Sequence, residues 1–254
     1  MLPVIQIGPV AIQFPGLILL TGLWFGLEVI DRHNFTGKKI VTLVTIGMIA
    51  GIIGARLVYA AQNPKVFEGE PFGLLTLSSQ LMSLPGGIVA AVIAGVAYAQ
   101  REKLSAWVAL DAVSVFLAVM LVSIHFANFA SGDSYGTPSN LPWAVTLWGA
   151  QRHPVQLYEG LAAILILLLV WPGTKTGWSQ WLLLRPGARL WVYIALTSLS
   201  RLFLEFFRME KLTFSNGFSL IQCAAWILLA LSLWNLNRLY PLPQLASEAK
   251  SDAP

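Results

Sequence analysis

Residues 106–130 read AWVALDAVSVFLAVMLVSIHFANFA. The run holds one carboxylate, Asp111, and neither lysine nor arginine. It exceeds the roughly 20 apolar residues needed to cross about 30 Å of hydrocarbon, so it reads as a membrane-spanning helix and sets the interpretation of the rest. Working outward, further apolar stretches lie at about 15–30, 40–61, 84–99, 155–171, 188–208 and 217–237. The stretch at 84–99 opens with Pro85-Gly86-Gly87, which suggests a broken or re-entrant start, tolerated only where protein or water covers the backbone. Composition agrees with a membrane protein. The chain of 254 residues is 56% hydrophobic and 11% charged, against roughly 25% charged residues in a soluble domain, and its mean hydropathy is +0.69. Ten tryptophans suit rings placed at the two membrane interfaces. The expected fold is an all-α polytopic membrane protein: seven transmembrane helices in one domain, 1–240, a small external cap at about 131–154, and a polar, frayed tail at 241–254.

Loop charge orients the chain. Of the 16 Lys and Arg, Arg32, Lys38, Lys39, Arg101, Lys103, Lys175, Arg185, Arg189, Arg238 and Lys250 follow spans one, three and five or lie in the tail. Lys65, Arg152 and Lys211 follow spans two, four and six. By the positive-inside rule the first set is cytoplasmic, which puts the N-terminus outside and the C-terminus inside. The first apolar run follows an uncharged segment rather than a basic one, so it reads as a retained helix and not a cleaved leader. The net charge of +4 is spread out, with no stripe suited to nucleic acid. The single Cys223 permits no intrachain disulfide and no thiolate cluster. No metal or cofactor motif is present, and no internal repeat of the kind that builds transporters.

Charge inside a span is the informative oddity, because an arginine at a helix centre costs about 2.5 to 3.5 kcal/mol on insertion scales. Arg201, Glu205 and Arg208 stand at i, i+4 and i+7, a spacing that puts all three on one helix face. That face either locks helices together through an Arg–Glu pair, with Arg208 reaching to the surface, or forms an anion site. Arg56, near the outer end of span two, is an interfacial anchor or a phosphate ligand. Arg152-His153-Pro154-Val155-Gln156-Leu157-Tyr158-Glu159 is a dense polar run at the outer mouth of span five. There Pro154 suits a first helical turn, and Glu159 either faces the positive helix end or bonds a ligand. His125, Asn128 and Asp133 close span four at the same outer level. Together these groups describe an outward-opening, arginine-lined cavity in lipid. An anionic phospholipid head group fits it, since guanidinium forks match phosphate oxygens.

The run 152–159 resembles the Arg-His-Pro-Ser-Gln-Leu-Tyr-Glu signature of bacterial prolipoprotein diacylglyceryl transferases, and 201–208 resembles their Arg-x-x-x-Glu-Phe-x-Arg helix. Gly8-Pro9-Val10, Gly54-Ala55-Arg56-Leu57-Val58-Tyr59, Gly86-Gly87, Asn128-Phe129 and Gly132-Asp133 follow in the family's order, so the resemblance runs from about residue 7 to 240. It implies a seven-span inner-membrane fold of the orientation read from loop charge. The implied activity moves diacylglyceryl from phosphatidylglycerol to a lipobox cysteine thiol of a secreted precursor, releasing glycerol phosphate, with no cofactor. It also implies that Arg201 holds the lipid phosphate, Glu205 orients it, Asn128 binds the head group, and Arg152, Tyr158 and Glu159 shape the outer mouth. Arg56, Asp133, Gln156, Arg208, Gly86 and Gly87 complete the expected substrate contacts. The nucleophile belongs to the substrate, so Cys223 has no part.

Departures from the pattern accompany the matches. Where the family has Trp-Tyr-Gly at span one, this chain has Phe14-Pro15-Gly16, and its His-Gly-Gly reads Pro85-Gly86-Gly87. Its Gly-Arg-x-Gly-Asn-Phe reads Ile124-His125-Phe126-Ala127-Asn128-Phe129, so a second phosphate arginine has become His125; its nearby Glu is Asp133. An imidazole titrates near neutral pH, so His125 is expected to supply the missing positive charge and the missing base in one group. The alternative reading is a relative that binds anionic phospholipid without turnover, or acts on another acceptor.

Overall fold

The computed structural model describes residues 5–7, 10–33, 38–66, 82–173, 177–209 and 219–239. Eight α-helices follow in chain order among them: α1 (Phe14–Arg32), α2 (Lys38–Gln62), α3 (Leu84–Arg101), α4 (Ala106–Ser131), α5 (Val155–Val170), α6 (Gly177–Leu184), α7 (Ala188–Leu204) and α8 (Leu220–Leu239). Two antiparallel hairpins accompany them, β1 (Ile5–Ile7) with β2 (Val10–Ile12) and β3 (Val145–Leu147) with β4 (Ala150–Arg152). The all-α class therefore holds with two small sheets added. The tail at 241–254 and most of the 62–83 connection lie outside the described residues.

Helices α1, α2, α3, α4, α8 and α7 with its continuation to Phe207 are long and apolar enough to cross a membrane. The fifth expected span forms a helix of 16 residues and is shorter than the others. Helix α3 runs unbroken from Leu84, with Pro85 in its first turn. A proline there removes only an N–H that has no helical partner, so the broken start expected from Pro85-Gly86-Gly87 is not formed.

The chain divides into two compact units, 27–113 and 1–26 with 114–254. In the first, α2 and α3 pack with backbones in close approach. A Cβ at Gly54 would overlap Ala90, and one at Gly86 would overlap Val58. Lys39 and Glu102 pair at 2.9 Å. Arg56 is buried on α2.

The second unit carries the polar cluster. Its apolar core joins Ala118 of α4, Val170 of α5, Leu182 of α6, and Ala188 and Val192 of α7. Helix α5 shows how burial sorts its two faces. Leu161, Leu165 and Leu168 are each about 60% exposed, at helical spacing that forms an exposed apolar stripe, while Gln156, Glu159, Gly160, Ala163, Ile166 and Val170 are buried. Helix α4 ends at Gly132, whose φ of +80° suits the left-handed terminator, and both Gly132 and Asp133 donate N–H bonds to the Asn128 carbonyl. The chain then enters the cap. Trp148 and Gly149 both have positive φ and join β3 to β4 as a two-residue hairpin turn of the primed kind.

Candidate active site

Five ionisable side chains of the second unit converge. Glu159 sits about one turn into α5, on its buried face. Its Oε1 accepts hydrogen bonds from Arg201 Nη1 at 2.7 Å and Arg208 Nη1 at 2.8 Å. Its other oxygen, Oε2, lies 3.1 Å from His125 Nδ1 of α4. Arg201 Nε lies 3.4 Å from Glu205 Oε2, and Ser219 Oγ donates to Glu205 Oε1 at 3.2 Å.

The helix-face expectation for 201, 205 and 208 needs correction. Helix α7 stops at Leu204, Glu205–Phe207 tighten into a 3₁₀ turn, and Arg208 is extended with ψ 140°. The cap explains the break. Gly136 bridges Arg208 in antiparallel fashion, Thr137 N–H donates to the Phe207 carbonyl at 2.8 Å, and Met209 N–H donates to the Tyr135 carbonyl at 3.2 Å. Arg208 thus leaves the helix to pair with the cap, yet its guanidinium still meets Glu159. Glu159, for its part, is held by side chains from two further segments, which neither sequence reading anticipated.

Burial in the cluster is ordered by sign. The side chains of Glu159 and Glu205 are 3% and 0% exposed, whereas Arg201, Arg208 and His125 are 29%, 13% and 12% exposed. The carboxylates therefore form the back of the site and the cationic groups its accessible front. A buried carboxylate would be expensive without such partners, so the two glutamates fix where the guanidiniums stand. Arg208 is too buried to be a surface-reaching side chain.

A second layer is aromatic. Trp143 Nε1–H donates to Tyr158 Oη at 2.7 Å, and His153, Tyr158 and Phe207 make ring contacts with centroids 5.2 to 6.2 Å apart. Arg152 belongs to the cap. Its Nε donates to the Leu147 carbonyl at 3.1 Å, its Nη1 to the Gly136 carbonyl at 3.4 Å, and its guanidinium lies over the Tyr135 ring. Gln156 Nε2 donates to the Asp133 carbonyl at 2.8 Å; Asn128 Nδ2 approaches Ser134 Oγ at 3.5 Å. The Asp133 carboxylate is exposed and takes Ser131 Oγ–H at 2.7 Å. Arg56, Gly86 and Gly87 lie in the other unit.

An open apolar cavity of about 510 Å³ runs along the same unit, lined by Phe14, Leu17, Ile18 and Phe25 of α1, Val119 and Phe126 of α4, and Leu167 of α5, among others. Phe126 directly follows His125. Sequence reasoning missed Ser219 and Trp143, which no spacing links to the motifs, Phe207, which fills an unspecified position inside the 201–208 run, and this cavity, whose lining is ordinary membrane-helix sequence. Among the described residues no group of three or more His, Cys, Asp or Glu could hold a metal ion.

Apolar helices around a buried carboxylate pair with cationic side chains in front are those of a polytopic membrane protein with a charged cluster among its helices. The chain belongs to the prolipoprotein diacylglyceryl transferase family, whose sequence profile matches residues 3–237. It is similar to a phosphatidylglycerol–prolipoprotein diacylglyceryl transferase of Synechococcus elongatus, 26% identical over 271 residues, covering 98% of this chain and 93% of that one. A protein of the same name from Thermosynechococcus vestitus is 26% identical over 258 residues, covering 94% of each chain. Another from Brucella anthropi is 28% identical over 228 residues, covering 81% of this chain and 79% of that one.

Proposed function

We propose that the protein transfers the diacylglyceryl group of phosphatidylglycerol to the thiol of a lipobox cysteine in a precursor protein, releasing glycerol phosphate. The setting is the bacterial cytoplasmic membrane, crossed seven times, with the N-terminus outside. The observation that carries this reading is the meeting of Arg201 and Arg208 at the front of one buried carboxylate, supported by family membership and by the activity for which the relatives are named.

In the reaction, the thiol gives up its proton to water, a sulfur–carbon bond forms at the glyceryl carbon, and the carbon–oxygen bond to phosphate breaks. The electron pair passes to the phosphate oxygen, turning a monoanionic diester into a monoester with a second negative charge. Guanidiniums facing that oxygen stabilise the charge as it grows, and so act more strongly on the transition state than on the bound lipid. Arg201 and Arg208 fill that role. Glu205 holds Arg201 through Nε, which leaves the outer edge of the guanidinium to the ligand. Protonated His125 supplies the third positive group. Asn128 contacts the head group, Arg152 and Tyr158 shape the mouth, and the apolar cavity takes acyl chain. The thiol comes from the substrate; Cys223, exposed on α8, takes no part.

Membranes containing the protein, labelled phosphatidylglycerol and a lipobox peptide should yield a thioether-linked lipid and glycerol phosphate. Absence of product under conditions in which an ordinary family member works overturns the proposal; lipid binding without product supports the non-catalytic alternative.

A further inference from the structure

The five ionisable groups of the site carry balanced charge when His125 is neutral. Glu159 and Glu205 contribute two negative charges, and Arg201 and Arg208 two positive ones. Each carboxylate is 3% exposed or less, so little water screens the sum. A lipid phosphodiester adds one further negative charge, and an uncompensated charge in a partly desolvated site is costly. Among the described residues of the cluster, His125 is the group that can gain a positive charge without undoing an existing pair. His125 Nδ1 already lies 3.1 Å from Glu159 Oε2, so an added proton on the ring creates a favourable pair with that carboxylate. Protonating Glu159 instead would take the acceptor from two arginines at once.

Among the described residues of this unit, the surrounding charged and titratable groups are few. Helix α5 presents Glu159, with Tyr158 beside it in the aromatic layer. Helix α7 presents Arg201, and the segment after it Glu205 and Arg208. The cap holds Arg152, engaged by two carbonyls, and His153, 3.5 Å from Tyr158 Oη. On the His125 side of the chain, Asp133 is exposed and turned to Ser131.

We infer that this site binds a monoanionic phosphodiester together with one proton, which His125 receives, so that His125 sets the affinity for anionic head groups according to pH. The inference rests on the transfer reading for the identity of the ligand. A ligand bound with one proton loses about tenfold in affinity per pH unit over the range in which the free site is deprotonated. Affinity is therefore full at acid pH and falls as the pH rises once the free site has lost that proton. A permanently charged side chain at 125 removes the dependence.

The test titrates short-chain phosphatidylglycerol into the full-length protein in zwitterionic nanodiscs between pH 5 and 9. Calorimetry in buffers of different ionisation enthalpy counts the protons taken up. The expected result is a slope approaching one logarithmic unit per pH unit, with uptake approaching one proton per lipid at the alkaline end. His125→Arg binds with a flat profile and no uptake. His125→Gln, which keeps a polar side chain of similar reach, binds weakly with a flat profile and keeps the inference testable should the arginine variant fail to fold. A flat profile in the unaltered protein overturns the inference while leaving the transfer proposal standing. So does an unchanged slope in either variant, which would place the proton on Glu159 or His153. No phosphatidylglycerol binding at any pH overturns both.

Discussion

Arg201 uses two parts of its guanidinium in two directions, Nη1 toward Glu159 and Nε toward Glu205. A lysine ammonium is a single point charge on a flexible stem and cannot hold both carboxylates in that fixed geometry while facing a phosphate. Arg201→Lys should therefore behave much like Arg201→Ala, each losing about 100-fold or more in transfer, as expected when one partner of a buried charge network is removed. Single-turnover rates with labelled phosphatidylglycerol check this, and near-normal transfer by the lysine variant would show that the fork is not required. At this scale the sequence was informative where the spacing was local. Arg201 and Glu205 meet as i and i+4 residues do on a helix. The contact between His125 and Glu159 joins two different helices, and no periodicity connects residues on separate elements. Arg208 escaped its helical register because strand-like pairing with Gly136 competes with the next helical turn.

The cap illustrates how an element can fix a residue. A Cβ at Gly136 would overlap the His153 carbonyl and side chain and the Val155 side chain. Backbone at that contact cannot simply rotate away. Gly136→Val should therefore push the strand off residues 207–209, lowering stability by about 1–3 kcal/mol, as overpacking of a close contact does, and displacing Arg208 from Glu159. A lowered thermal midpoint together with reduced transfer is the expected result. The matched control is Gly95→Ala on α3, where a Cβ meets nothing within 4 Å and helix propensity favours alanine by up to about 1 kcal/mol. If the control loses as much as Gly136→Val, the clash is not the cause. Long elements were legible from hydropathy, since the 106–130 stretch forms Ala106–Ser131 and the proline before Val155 starts α5 where expected. Hairpin β3–β4 was not, because three residues per strand are too few to show alternation. Helix α6, with eight residues, falls below the length at which helical periodicity separates from chance.

For the whole molecule the decisive element is α5. Its 16 residues rise about 24 Å at 1.5 Å each, short of a typical core of about 30 Å. A short span is accommodated by local thinning of the bilayer at modest cost, and the alternative is a helix that enters and does not cross. Loop charge discriminates between the two. With α5 crossing, Arg185 and Arg238 share the side of Arg101 and Lys103, as the positive-inside rule asks. Without it, everything after residue 170 inverts and the basic residues divide between the two faces. A reporter that fluoresces only in the cytoplasm, fused after residue 173 and after the C-terminus, should therefore be bright in both positions, and one fused after residue 133 should be dark. Darkness at both 133 and 173 would show that α5 enters without crossing. Darkness at 173 with brightness at 133 would instead invert the whole chain, placing Glu159 and its arginines near the cytoplasmic leaflet. There a secreted precursor, already carried across, would have no access to them. The outward position proposed for the charged cluster thus depends on the orientation of the spans before residue 133, and the seventh crossing on this one short helix.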